Sequence, residues 1–572
     1  MKKFTFGTPE KIVPSKFCSG FNYNETEVNF PASRFSCKTT SRGFVVEFPL
    51  EDDAQIYGFG LQLKQFNHRG RKLKLSVNAD PVKSTGDSHA PVPFFVTNKG
   101  YGMYFDTARY AEFYCGYVKN SASDTSSDDK AESSVGTSTD ELYAVRKVGG
   151  AVMSVLIPAC EGIDVYVIEG VTITDIVKQY NMLSGGGCDV PEWGLGVLYR
   201  CYGRYSQDEV LATADYFRKN DIPCDIIGLE PGWQTHTYSC SYVWSERFPA
   251  PDAMIAELKE KNFHINLWEH AFTHPTSPIY DEIKSHSGDY TVWGGVVPDF
   301  ADPEARRIFA DYQKKYLTQR GIDGFKLDEC DSSDYTGSWS FPLISSFPSG
   351  LDGEQYHSLF GLLYSQVMME ALDGTKTLSE VRNMGALSSS YPFVLYSDLY
   401  DHRDFIRGVA QSSFSGILWT PELRDAHSKE ELIRRLQAVV FSVQCLINAW
   451  YCEKVPWDEY GCEDEVRELL KLRESLIPML KKAFDEYRDT GKPPIRALVM
   501  DFTSDSETYN IDDEYIFCDD LLVAPIAAGY GDEREVYLPT SAKWCDYFTG
   551  EEVPSGRFKV KTAGIPVYRM IK

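Results

Sequence analysis

Residues 1 to about 185 alternate short apolar runs with polar breaks. GFVVEFPL, KLKLSVNA, VPFFVTN, YGMYFDT and ELYAVRKV are rich in β-branched and aromatic residues and are bounded by Gly, Asn, Asp or Pro, the signature of strands. Their repetition predicts an antiparallel sandwich. The polar stretch NSASDTSSDDKAESS after Lys119 is expected to be a solvated hairpin loop. From Pro191 the rhythm becomes strand then helix. WGLGVLY precedes SQDEVLATADYFRKND, where Ser206 and Glu209 form a capping box. CDIIGLE, FHINLWEH and GFKLDE each precede an amphipathic run, the last of these starting after Asp352. TLSEVR, PFVLYSD and GILWTPE add three strands, and Ser428 with Glu431 opens a long helix, SKEELIRRLQAVVFSVQCLINAW. A weak strand near NAWYC and the helix EDEVRELLKLRESLIPMLKKAF follow. Seven clear strands and one weak one, alternating with helices, predict a (β/α)₈ barrel. Beyond Pro493 the pattern returns to strands: YIFCDDLLVAPI, REVYLP and WCDYFTG. The expected organisation is multidomain α/β plus β: an N-terminal β-sandwich over 1–188, a (β/α)₈ TIM-barrel domain over 189–485 and a small C-terminal β domain over 486–572.

Composition narrows the function. The 572 residues carry 58 Lys+Arg against 83 Asp+Glu, a formal net charge of −25. Such a surface repels phosphate backbones and anionic lipid, which argues against nucleic-acid and membrane partners. MKKFTFGTPEKIVPSKF lacks an apolar signal region, and no run of about 18 apolar residues follows. The 14 cysteines are scattered singly, as expected of reduced thiols in a cytoplasmic enzyme. Aromatic residues reach 14%, which suits either a β-rich core or the stacking of sugar faces.

Barrels of this kind carry reactive groups at the C-terminal ends of their strands. Those ends hold Glu230, Glu269 with His270, Asp328, Arg382, Asp398 and Glu422. There is no GxSxG, HExxH, phosphate-cradling glycine loop or zinc-type cysteine cluster, and the histidines are too dispersed to suggest a metal. No cofactor is required. Paired carboxylates at a barrel mouth suit glycoside hydrolysis, although acidic strand ends also bind Mg²⁺. In GFKLDE, period-two alternation aims Lys326 and Asp328 inward together, so that the ammonium is expected to keep Asp328 ionised. A purely structural ion pair competes with that reading. His264, Asn266 and Trp268 face inward on the preceding strand, where barrel filling is the stronger reading. Trp233, Trp268, Trp339 and Trp419 could line a pocket or pack in the core.

Several motifs occur together in one order. IYGFGLQ and PFFVTNKGYGMYFD come first, PEWGLGVLYRCYGRYSQDEV, IPCDIIGLE and RFPAPDAMIAELKEKNF open the barrel, and CDDLLVAPI with REVYLP and WCDYFTG follows it. In this arrangement the chain resembles glycoside hydrolase family 31, the α-glucosidase and α-xylosidase family, over nearly its whole length. Too few residues remain for a second, distal C-terminal β domain. The resemblance implies a retaining mechanism with Asp328 as nucleophile and Asp398 as acid/base. Arg407, nine residues after Asp398, keeps the family's register; Asp401 and Asp404 are close rivals of Asp398, but Asp401 would shift that register. Arg382 matches a sugar-binding Arg that also steadies the acid. Asp80 in SVNAD sits where an N-terminal loop reaches the subsite in some relatives, with an ordinary turn residue as the alternative. Lys326, Trp268 and Trp419 complete the expected substrate contacts.

Four positions depart from the family pattern. Glu230 replaces an Asp that grips the sugar's far hydroxyls, and Asn448, expected on the helix before the eighth strand, replaces a sugar-binding His. Asp331 replaces a Glu three residues after the nucleophile, and Arg403 a Trp that follows the acid. A site built around particular hydroxyls discriminates strongly when a polar partner moves, so galactose, xylose or an acidic or N-acetylated sugar competes with glucose. The expected partner is a small α-glycoside or oligosaccharide, and a homo-oligomer is open. The mechanism requires carboxyls roughly 5–5.5 Å apart, with Asp398 raised in pKa and Asp328 charged. Transglycosylase, α-glucan lyase and a non-catalytic carbohydrate-binding protein remain alternatives.

Overall fold

The computed structural model describes residues 1–118, 150–334 and 338–571. The expected hairpin loop after Lys119 and the strand ELYAVRKV lie outside the described residues. Two five-stranded antiparallel sheets face each other in the N-terminal part. One runs Lys2–Thr8, Glu161–Glu169, Tyr101–Phe105, Pro91–Thr97, Ile56–Gly60; the other runs Ser36–Thr40, Gly43–Pro49, Ala151–Pro158, Glu112–Val118, Lys72–Lys74. Phe44, Val46 and Phe48 from one sheet bury against Phe95, Met103 and Val165 from the other. Period-two alternation thus produces the sandwich that the pattern predicts.

The central layer is an eight-stranded parallel sheet, β1 Val197–Arg200, β2 Ile226–Leu229, β3 His264–Glu269, β4 Gly324–Leu327, β5 Ser379–Val381, β6 Phe393–Leu395, β7 Glu422–Leu423 and β8 Cys445–Asn448, paired in the order β6-β5-β4-β3-β2-β1-β8-β7. The ring closes where Leu395 N–H donates to Leu418 O (2.8 Å) and Thr420 N–H donates to Leu395 O (3.0 Å). Helices α1 Gln207–Lys219, α2 Pro251–Glu260, α3 Pro303–Tyr316, α4 Gly353–Leu372, α5 His402–Gln411, α6 Lys429–Val440 and α7 Glu463–Thr490 follow the strands. The Ser206–Glu209 capping box opens α1, and Asp352 caps α4 with Gln355. Residues 382–392, between β5 and β6, carry no helix.

The long helix expected from Ser428 ends at Val440, and β8 occupies its second half. VVFSVQCLIN is buried on all sides, so no polar face marks where the period changes from 3.6 to 2. Asn448 therefore ends a strand rather than lying on a helix.

After α7, a six-stranded sheet and the two-stranded ribbon Glu533–Leu538/Gly556–Lys561 share a core of Ile516, Leu522, Val536, Leu538 and Trp544. Gly60 ties the sandwich to the barrel. Its N–H donates to Ser415 Oγ (2.9 Å), and with φ +85° a Cβ there would meet Ala90 O at 1.9 Å. All 14 cysteines are free thiols. Among the described residues no helix is long and apolar enough to cross a membrane.

Candidate active site

The C-terminal strand ends bring charged side chains together in two tiers. In the lower tier Arg200, at the end of β1, crosses the barrel interior. It donates to Glu230 and also to Asn266 Oδ1 (2.9 Å) and Glu380 Oε2 (3.1 Å). Gly228 opposite makes this crossing feasible, since a Cβ there would meet Arg200 Cγ at 2.9 Å. Lys326 Nζ donates to both Glu230 oxygens at 3.2 Å. Two cations and two carboxylates, all buried, thereby neutralise one another where an unpaired charge would be costly.

Lys326 is thus the partner of Glu230, correcting the expectation that its ammonium serves Asp328. Alternation does aim both inward, but Glu230, one residue beyond β2, lies within reach of the ammonium. Glu230 in turn spends its carboxylate on Arg200 and Lys326.

In the upper tier the cation is Arg382, one residue beyond β5. Its Nη1 donates to Asp398 Oδ2 and lies 3.5 Å from Asp328 Oδ1, and its Nε donates to Asp331 Oδ2 (3.2 Å). Trp268 Nε1 donates to Asp328 Oδ2 (2.6 Å) and the Glu329 N–H donates to Asp328 Oδ1 (3.0 Å). Asp328 is buried, whereas the Asp398 side chain is half-exposed. One nitrogen spans both carboxylates, so their facing oxygens are at most two hydrogen-bond lengths apart, about 6 Å.

Charge decides the protonation state. What burial Asp398 has works to raise its carboxyl, but Arg382, then Lys326 and Arg424, outweigh it and hold the group down to about 2. The expected upward shift is therefore absent in the free protein, because the expectation left out the bond from Arg382. Glu329 moves the other way: burial, and then the Asp328 charge, push it up. Glu329 also sits in the left-handed region at φ +58°, an uncommon position for a non-glycine residue beside reactive groups.

Other sequence candidates fall elsewhere. Glu269 faces outward, where Tyr364 Oη (2.9 Å) and Gln313 Nε2 (3.4 Å) donate to it, and burial pushes it up to about 8. Alternation explains this, since Trp268 beside it faces in. Trp419 is buried against Gly408 and Phe405, its indole donating to Phe405 O (3.3 Å); it packs on α5 rather than lining the mouth. Trp233 is equally buried and donates to Trp268 O. Asn448 Nδ2 donates to Glu422 Oε2 (2.8 Å), and both are buried. Asp80 is exposed, but its loop reaches the barrel through Ala79 N–H donating to Ser333 Oγ (3.1 Å). Asp401 caps α5, and Asp404 pairs with Arg407 (2.9 Å) and Lys64; Asp398 is left as the carboxylate facing Arg382.

Sequence reasoning missed Arg200, Glu380, Arg424, Tyr238 and Trp293. Alternation from Arg382 and Glu422 would have flagged Glu380 and Arg424, each two residues away in sequence; Arg200 has no candidate on its own strand to point to it. The aromatic pair needs the fold: Tyr238 packs on Trp268 (5.5 Å between centroids) and on Trp293 (5.0 Å), and Trp293 on the half-exposed Trp339 (5.4 Å). These rings lead outward from Asp328.

Known proteins resemble this chain in sequence and fold. The chain matches the glycosyl hydrolases family 31 TIM-barrel domain over residues 188–483, the family 31 C-terminal domain over 491–570 and the glycosyl hydrolase 31 N-terminal galactose mutarotase-like domain over 20–113. An alpha-xylosidase of Emericella nidulans is 24% identical, with 91% of this chain and 66% of the relative covered. Alpha-glucosidase 2 of Bacillus thermoamyloliquefaciens is 25% identical over 92% of this chain and 67% of the relative. The chain thus spans about two thirds of the length of these curated relatives. A family 31 alpha-xylosidase from a soil metagenome, solved with xylose, superposes with a TM-score of 0.77 at 22% identity, covering 94% of this chain and 81% of that one. A Flavobacterium johnsoniae family 31 dextranase, solved with glucose, gives 0.79 at 22% identity over 95% and 68%. With the barrel domain alone matching more than half of its residues, the chain belongs to glycosyl hydrolase family 31.

Proposed function

We propose that this chain is a retaining α-glycosidase that removes a terminal α-linked sugar through a glycosyl ester on Asp328. The observation that carries the reading is the Arg382 nitrogen shared by Asp328 and Asp398, since carboxylates this close fit the roughly 5–5.5 Å of double displacement better than the roughly 6.5–9.5 Å of inversion. Asp328 Oδ attacks the anomeric carbon while Trp268 and Arg382 hold its charge and direction. Asp398 gives a proton to the departing oxygen, then takes one from water as the ester is hydrolysed. In the free protein Asp398 is ionised against Arg382, so the bound sugar must draw the guanidinium away before the acid can carry its proton.

The relatives are named for α-xylosides and α-glucosides, which supports a xylo- or gluco-configured sugar. Glu230 is the specificity element of this reading: locked to Arg200 and Lys326, it holds the floor beneath the sugar in one fixed arrangement of charges. Tyr238, Trp293 and Trp339 offer ring faces on the leaving-group side. Assay against p-nitrophenyl α-glucoside, xyloside, galactoside, N-acetylgalactosaminide and sulfoquinovoside tests this. Hydrolysis of the glucoside or xyloside, abolished in Asp328→Ala, is expected; activity that survives that change removes Asp328 from the mechanism.

A further inference from the structure

His89 lies on the sandwich segment just before the strand Pro91–Thr97, yet its ring sits between the two reactive loops of the barrel. Nδ1 is 2.6 Å from Asp331 Oδ2, and Nε2 is 2.7 Å from Ser397 Oγ. His89, Asp331 and Ser397 are all buried, at 0%, 0% and 1% exposure. Asp331 Oδ2 also accepts from Arg382 Nε, and Ser397 Oγ also accepts from the Leu399 N–H at 3.0 Å. Ser397 and Leu399 flank Asp398, so that last bond closes the turn on which Asp398 stands.

These three bonds fit one another with the ring proton on Nδ1: it donates to Asp331, Nε2 accepts the Ser397 hydroxyl proton, and the Ser397 oxygen accepts from Leu399. One ring therefore fixes Arg382 through Asp331 and the Asp398 turn through Ser397. Both constraints converge on the geometry of Asp398 relative to the leaving group. Nothing else among the described contacts links the Asp331 loop to the Ser397 turn through a single side chain of the sandwich.

We propose that His89 is a positioning residue for proton transfer by Asp398, supplied to the barrel by the N-terminal sandwich. The inference rests on the retaining reading above. A misplaced acid penalises poor leaving groups and spares good ones, whereas a general loosening of the site lowers both.

The experiment measures kcat/KM, which reports the sugar–oxygen cleavage step, for Ser397→Ala, His89→Asn and His89→Gln. It compares a phenyl or methyl α-glycoside with the 2,4-dinitrophenyl α-glycoside or glycosyl fluoride of the same sugar, with thermal melting as a fold control. Ser397→Ala deletes one hydroxyl and is the smallest change of the three, so that thermal melting is expected to stay nearest to wild type. Losses of about tenfold or more on the poor leaving groups and within about twofold on the good ones are expected for Ser397→Ala and His89→Asn. Their combination should cost no more than the larger single loss. Equal losses across leaving groups, or no loss, overturn the proposal. A wild-type protein inactive on every glycoside overturns the retaining reading itself, and this inference with it.

Discussion

Arg382 decides the charge of Asp398, so the acid has two different affinities for its proton. In the free protein it is held down to about 2; once sugar replaces the guanidinium, the largest opposing charge is gone and only Lys326 and Arg424 still act against burial. Because kcat/KM reports the free enzyme and kcat the complex, the alkaline limb of kcat should lie at higher pH than that of kcat/KM. Coincident limbs in a pH–rate profile would contradict the exchange. Glu269 gives a stability test with the opposite sign. Its carboxyl is raised to about 8, so its contribution is complete below the unfolded value near ~4.3 and is lost as pH rises toward 8, by up to about 1.4 kcal/mol per unit. Glu269→Gln keeps an oxygen to accept from Tyr364 and should flatten that decline in denaturant melts. Asp328 and Arg382 were legible because each follows a strand directly, and Asp398 because it lies three residues beyond β6 in register with Arg407. The partner of Lys326 was not, since choosing Glu230 over Asp328 depends on distances across the barrel that one strand cannot encode.

The strands and helices show where the pattern stops being sufficient. β1 to β4 stand out in the sequence because Gly, Asp or Pro separates each from its helix. β8 does not, because its residues are buried on every side and continue the apolar surface of α6 without a break. The missing helix between β5 and β6 had no signal of its own; Gly385, a run of three serines and Pro392 fill that interval. Gly228 offers a test at this scale. Its missing side chain leaves room for Arg200, so Gly228→Ala should cost about 1–3 kcal/mol by overpacking and lower activity by disturbing Glu230. Chemical denaturation with wild-type midpoint would show that the Arg200 crossing is looser than drawn.

At the scale of the whole chain, one continuous buried cluster runs from Tyr57 and Phe66 in the sandwich, through the barrel, to Phe517 and Val567 beyond it. Polar ties reinforce it: Asp512 accepts from Arg403 and from Arg407 Nε (2.6 Å) on α5, and Ala528 N–H donates to His402 Nδ1 (2.9 Å). Arg403, one of the departures from the family pattern, thus anchors the helix behind Asp398 to the segment that leads into the C-terminal strand Tyr515–Phe517. Calorimetry should show a single unfolding transition, and Asp512→Ala should lower its midpoint, since it takes one carboxylate from two partly buried guanidinium groups and leaves Arg407 to Asp404 and Arg403 to Asp513. Separate transitions would mean that the parts fold independently and that the sandwich cannot hold His89 in register. The three-part order was legible from changes in hydrophobic period, but the ties between parts were not, because they join residues about a hundred or more positions apart.

The central claim is that Asp328 becomes covalently bonded to the sugar. The most direct test incubates the protein with 5-fluoro-α-glucosyl and α-xylosyl fluorides and maps the labelled peptide by mass spectrometry. The account predicts one added sugar on Asp328, absent from Asp328→Asn. A label on Glu329, Asp398 or any other residue, or release of the β-anomer as first product, would contradict it.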